Sequence, residues 1–143
     1  MEQDGMSPSF NKAIIRRFNQ GVIEQGDRRM FDELVSQRFV NHSAPAGAPA
    51  DRESLWHTFQ NVLRPAFGPL TVVIHDQVAE GDLVTTRKTV SGVHVGVLAG
   101  ISATFRQVDI EVIDIVRVVD GQYTDHWGVN TLPSVLDSLR KTG

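Results

Sequence analysis

The hydrophobic period of the chain changes once, near Leu70, and that change limits the fold more than any other feature. Before it, apolar residues recur at helical spacing; after it they alternate, as strands require. Phe10, Ile14, Ile15, Phe18, Val22 and Ile23 mark a helix over 9–25, opened by Ser7-Pro8-Ser9 and stopped at Gly26-Asp27. Met30, Phe31, Leu34 and Val35 mark a short second helix, which "RFVNHS" leaves in extended form. Asp51 and Glu53 open a third helix with Leu55, Trp56, Phe59, Val62 and Leu63 on its apolar stripe and Pro65 expected beyond its end.

From Leu70 the chain reads "LTVVIHDQVA", a turn "EGD", "LVTTRKTVSG", the long "TFRQVDIEVIDIVRVV", a turn "DG" and "QYTDHWGV". Gly92, Gly96 and Gly100 suit strand ends or a sharp bend, and Thr131 is the expected cap of a closing helix with Leu132, Val135, Leu136 and Leu139. Helices followed by antiparallel strands predict an α+β fold: a cone-shaped barrel in which a curved antiparallel sheet wraps over the N-terminal helices around an internal pocket. The 143 residues fit a single domain over 1–143, with 1–8 as a flexible N-terminus and "SAPAGAPA" at 43–50 as a loop.

Composition removes several functions. The net charge is −3 and the 14 Lys and Arg are scattered, so no basic stripe predicts a nucleic-acid partner. Without cysteine there is no disulfide, thiolate nucleophile or Cys-ligated metal. Neither a leader nor an apolar run of membrane-spanning length is present, so the expectation is a soluble, cytoplasmic chain without a membrane partner.

In the long strand, alternation puts Val112, Asp114, Val116 and Val118 on one face and Ile113, Ile115, Arg117 and Val119 on the other. Both faces are largely apolar, so one lines the core and the other needs cover, which predicts a homodimer packed through the sheet. A two-residue turn at Asp120-Gly121 pairs Asp114 with Trp127, whereas a Gly-bulged turn pairs it with His126. Either side chain can therefore share the face of Asp114. An acid between two valines in an apolar cavity loses hydration, so its pKa is expected to rise, and a neighbouring imidazole could hold or deliver its proton. Arg87 and Lys88 project to opposite faces, and the sequence leaves open which one enters the cavity.

The stretches "FNKAIIRRFNQGVIEQGDRRMFDELVSQRFVNH", "GVHVGVLAGI" and "VIDIVRVVDGQYTDHW", with the closing helix, resemble the SnoaL-like polyketide cyclase family of the nuclear-transport-factor-two-like superfamily. The resemblance runs from about Asn11 to Leu139 and implies a cone-shaped pocket for a hydrophobic, polyketide-like substrate and cofactor-free acid–base chemistry, a cyclisation or isomerisation. Hydroxylation components, hydrolases and non-catalytic binding modules share the fold. The resemblance puts Asp114 where relatives carry a pocket acid or histidine, and His42 at the pocket mouth. It places the second acid of the aldol cyclases at Gly128, and an aspartate of "HW" relatives at Asn130; neither residue can exchange a proton as a carboxylate does.

The catalytic candidates are thus Asp114 and His126, and the substrate-binding candidates are Phe18, His42, Trp56, Phe59, Trp127 and Asn130. Phe18, Trp56 and Phe59 qualify because pocket walls are mostly apolar and aromatic, and Trp127 because an indole stacks on a planar ligand. His94 reads as structural. With no ligand pair at i,i+4 spacing and no His-rich tract, no metal is expected from His42, His126 and Asp114.

Overall fold

The structure, a computed structural model, describes residues 7–141. Most of the expected flexible N-terminus, residues 1–6, lies outside the described residues, while Ser7 and Pro8 belong to the first helix start. Ser7 Oγ accepts from the Phe10 N–H, and α1 (Pro8–Phe18) follows. It runs directly into a π-helical turn over Asn19–Glu24. The widened turn keeps both Phe18 and its neighbour Asn19 buried, 3 % and 2 % exposed, which an unbroken stripe does not ask of adjacent residues.

Asp27 caps α2 (Arg28–Leu34), which passes without a loop into β1 (Val35–Asn41). Asp51 caps α3 (Arg52–His57), continued by a second π-helical segment (Thr58–Leu63) and α4 (Arg64–Phe67). Pro65 therefore lies inside this helix and not beyond it. The Arg64 N–H already reaches back to the Phe59 carbonyl, so the ladder is shifted there, and a proline in the first turn of α4 sacrifices no bond.

The strands are β2 (Thr71–Glu80), β3 (Leu83–Val93), β4 (Gln107–Val119) and β5 (Gln122–Asn130), and α5 (Leu132–Arg140) follows. They form one sheet in the order β1-β5-β4-β3-β2, antiparallel except that β1 runs parallel to β5. The α+β arrangement is as expected; the sheet is not closed, and it is mixed and not wholly antiparallel. The extended piece after α2 supplies the parallel edge. Thr131 precedes α5 without capping it: its hydroxyl accepts from the Glu111 N–H of β4, and Asn130 Oδ1 accepts from Leu132 N–H instead.

The inner sheet face and the helices bury Ile15, Phe31, Leu34, Phe67, Val84, Val116 and Val118, each 2 % exposed or less. Burial of such side chains contributes about 1.5–3 kcal/mol each. Among the described residues no helix is long and apolar enough to cross a membrane.

Candidate active site

The register of β5 decides which groups meet Asp114. Asp120 and Gly121 both have positive φ, 51° and 78°, and join Val119 to Gln122 as a two-residue hairpin. Thr124 is then bulged out of the ladder, because Arg117 pairs with Asp125 while Val118 pairs with Tyr123. The bulge adds one residue to β5, so Asp114 stands opposite Gly128, and neither expected partner sits directly across from it. His126 faces Val116 and lies diagonal to Asp114 on the same inner face, while Trp127 turns to the outer face with Ile115.

A polar row thus crosses the inside of the sheet: Gln77, Thr86, Asp114 and Gly128 on β2, β3, β4 and β5. Lys88, and not Arg87, enters from β3 and is 5 % exposed. Arg87 faces outward to Asp76. Lys88 Nζ donates to Asn19 Oδ1 at 2.6 Å and stands 3.5 Å from Asp114 Oδ2. Asn19 is held in turn by donating to the Ile15 carbonyl at 2.8 Å. On the other side, His126 Nε2 lies 3.6 Å from the same carboxylate oxygen.

Asn41 fixes the tautomer of His126. Its Oδ1 accepts from the Ser43 N–H at 3.0 Å and lies 2.9 Å from His126 Nδ1, which must therefore carry the proton. Nε2 faces the site, donating toward Asp114 Oδ2 when the ring is charged and presenting a lone pair when it is neutral. The opposite oxygen of the acid, Asp114 Oδ1, is buried and accepts no hydrogen bond among the described residues; the same holds for Gln77 Oε1.

The expected rise in the Asp114 pKa is not what this environment produces. Burial does push it up, and is the largest influence, but Lys88 and His126 together outweigh it and hold the carboxyl below its ordinary range. Burial pulls the Lys88 amine below its ordinary range, with Asp114 opposing. Burial and the nearby Asp114 charge push the Tyr123 phenol well up, so it stays a neutral hydroxyl beneath the cluster.

The other candidates divide by position. Phe18 packs edge-on against Tyr123 at 4.9 Å and Phe59 at 6.1 Å, and Tyr123 lies 6.4 Å from the His126 ring, so these aromatics form the floor behind the histidine. Trp56 is spent elsewhere, tilted on Phe31 at 5.2 Å with the Arg28 guanidinium over it. His42 and Trp127 do not line the site: their rings stack at 4.6 Å and 9° on the outer face of the sheet. His42 Nε2 lies 2.9 Å from Asp125 Oδ2, so His42, His126 and Asp114 do not converge. Asn130 is exposed and caps α5. His94 is structural, fully buried with Nδ1 accepting from the Thr104 N–H at 3.2 Å. Two surface depressions, of about 550 and 620 Å³, gather around Arg106 and α5 and include no member of the Asp114 cluster. The cluster meets solvent through His126, whose side chain is 20 % exposed.

The family model for SnoaL-like polyketide cyclases matches residues 13–137. The chain belongs to this family. Its fold is shared by TsrD from Streptomyces laurentii, at 23 % identity and TM-score 0.81 over 94 % of this chain and 97 % of that one. IdmH, a candidate polyketide cyclase from Streptomyces antibioticus, matches at 26 % identity and TM-score 0.79 over 91 % and 98 %. AclR, a candidate hydroxylase from Streptomyces galilaeus, matches at 24 % and 0.82 over 94 % and 83 %. No curated protein matches the sequence.

Within this family setting the glycine at 128 has a local cause. A Cβ there would lie 3.0 Å from His126 Cε1 and Nε2 and 3.1 Å from the Asp114 Cβ. The imidazole occupies the space that a side chain at 128 would need. Asn19, Asn41, Thr86 and Gln77 were not foreseen as site residues, and Lys88 was foreseen only as an alternative to Arg87. Two left a signal: Asn19 is a polar residue on the buried stripe of the first helix, and Lys88 shares the parity of Val84 and Val90.

Proposed function

We propose that the chain is a cofactor-free acid–base enzyme that cyclises or isomerises a hydrophobic, polyketide-like carbonyl compound, with Asp114 as general base and His126 as proton carrier. The observation that supports this is a buried carboxylate, kept ionised chiefly by Lys88, whose Oδ1 is engaged by no donor among the described residues. Such an oxygen has no hydrogen bond to give up when it takes the proton from carbon next to the carbonyl of a substrate that reaches it. His126 Nε2, 3.6 Å away, is placed to receive that proton and return it to the product oxygen. Phe18, Phe59 and Tyr123 give the substrate an apolar floor.

The outer sheet face, with Ile113, Ile115, Val119 and Val129 between 37 % and 69 % exposed, supports a homodimer packed through the sheet.

The test is turnover of an aromatic polyketide β-keto ester, with and without oxygen, by the natural chain and by Asp114→Asn. Oxygen-independent ring closure that falls about 10²–10⁴-fold in the variant is the expected result. Turnover that needs oxygen and a reductase would assign the pocket to a hydroxylation step, and turnover unchanged in Asp114→Asn would refute the base.

A further inference from the structure

We propose that Lys88 acts as a covalent catalyst, its amine condensing with a substrate ketone to an iminium from which Asp114 then takes the α-proton. This deepens the acid–base reading and rests on it. Three observations point to it. Lys88 is one of three lysines, with Lys12 and Lys141, and at 5 % exposed lies in the same polar cluster as the base. Its Nζ is anchored by the uncharged amide of Asn19 at 2.6 Å, while the carboxylate stands at 3.5 Å, the edge of hydrogen-bond range. A residue whose sole task was charge pairing would close on the acid. Finally, the residue opposite Asp114 on β5 is Gly128, which offers the carbonyl no donor side chain, and beside His126 it is Lys88 that stands at the acid; an iminium activates a carbonyl more strongly than a neutral donor. Burial also favours the uncharged amine that the first step needs.

The step balances without an oxidant. Asp114 takes one proton from the Lys88 ammonium, the free amine adds to the carbonyl carbon, and a C–N bond forms as the C=O π bond opens. Asp114 returns its proton to that oxygen, the adduct nitrogen gives up one of its two protons to the same oxygen, and the oxygen leaves as water when the C–O bond breaks, so ketone and ammonium give iminium and water. The regenerated carboxylate removes the α-proton, and the enamine carbon attacks a second carbonyl. Water finally releases Lys88. The bulged strand end brings His126 Nε2 to the other side of the same carboxylate oxygen, where it can exchange protons during dehydration.

The test uses the full chain with ethyl acetoacetate as probe. Three readouts are taken: mass added at each lysine after borohydride reduction, loss of an ¹⁸O label from the ketone, and deuterium uptake at the α-carbon above buffer background. The expected result is a reduced adduct mapped to Lys88, label loss faster than in buffer, and all three signals falling to background in Lys88→Arg, which keeps the cation. Deuterium uptake that depends on Asp114 but comes with no adduct and no label loss overturns the iminium and leaves the base standing. An adduct confined to Lys12 or Lys141 overturns it as well, and Lys88→Arg with undiminished exchange does the same. Absence of all three signals overturns both readings. If Lys88→Arg does not fold, adduct mapping on the natural chain decides.

Discussion

Replacing Lys88 by methionine should invert the pH dependence of stability. Lys88 and Asp114 face each other at 3.5 Å with 6 % of each side chain exposed. Two unit charges at that distance attract by about 5 kcal/mol at an effective dielectric constant of about 20. Methionine fills a similar volume but leaves the carboxylate buried, with His126 at 3.6 Å as its remaining counterpart and Oδ1 still unbonded. Removing one partner of a buried pair costs about 3–5 kcal/mol, a large share of the roughly 5–15 kcal/mol that holds a domain folded.

The sign with pH follows from what holds the Asp114 carboxyl down. In the natural chain its folded pKa is depressed, so its contribution is complete above the unfolded value of about 4 and is lost as pH falls through the lower folded one. Without Lys88 the leading influence, burial, is opposed by His126 alone, and the expected result is a folded pKa above the unfolded one. The penalty then grows as pH climbs past about 4 and is relieved on acidification. Urea unfolding at pH 7 and pH 5 should show the natural chain nearly level and Lys88→Met more stable at the lower pH. Lys88→Met/Asp114→Asn should recover most of the loss at pH 7. A loss under about 1 kcal/mol, typical of exposed pairs, or a pH slope equal to that of the natural chain, would refute the argument that this pair is electrostatically insulated.

Gly128→Ala puts a methyl 3.0 Å from the His126 ring, so thermal unfolding should show a cost of about 1–3 kcal/mol, with turnover reduced as the imidazole swings away; an unchanged melt would mean the ring is not packed on Gly128. Gly96→Ala sets a Cβ 2.3 Å from the Pro65 carbonyl oxygen, which only a backbone shift relieves, and should cost about 3 kcal/mol in the same assay. Ile115→Glu, on the exposed outer face, should turn a sedimenting dimer into a monomer without lowering the melting temperature of the protomer by more than a few degrees; a natural chain that is monomeric at micromolar concentration would refute the sheet interface.

The helical half was legible because its signals are local. Asp51 caps where the sequence opens the third helix, Asp27, read as part of the first helix's stop, also caps the second, and Ile15, Phe18, Val22 and Ile23 are buried as their spacing requires. The π-helical turns were not legible, since nothing in "FNQGVI" or "TFQNVL" distinguishes a widened turn from an α-turn. That hid Pro65 inside a helix and Asn19 beside Lys88. The strands were legible by alternation, but the parallel pairing of β1 with β5 joins residues about 85 positions apart, such as Asn41 and His126, and no local pattern encodes it. The charge state of Asp114 failed for the same reason: its flanking valines were visible in sequence, whereas the lysine that outweighs them comes from another strand.

His42 and Trp127 were expected at the substrate, and the register shows how they, with Asp125, act from the opposite face. The bulged Thr124 donates its hydroxyl proton to Asp125 Oδ1 at 2.7 Å, with the Arg117 carbonyl 3.3 Å from the same oxygen. Asp125 is gripped in turn by His42 at 2.9 Å, and His42 stacks on Trp127. Burial raises the Asp125 pKa, but His42, Thr124 and Arg117 outweigh it and keep the carboxylate charged to hold these bonds. Remove the bulge, and β5 slips by one residue against β4: Trp127 turns inward opposite Asp114 and His126 turns out. The outer cluster is therefore a register lock. It delivers an imidazole to a buried carboxylate at a position where a side chain on residue 128 has no room, and the chemistry of the inner face depends on packing that no substrate touches.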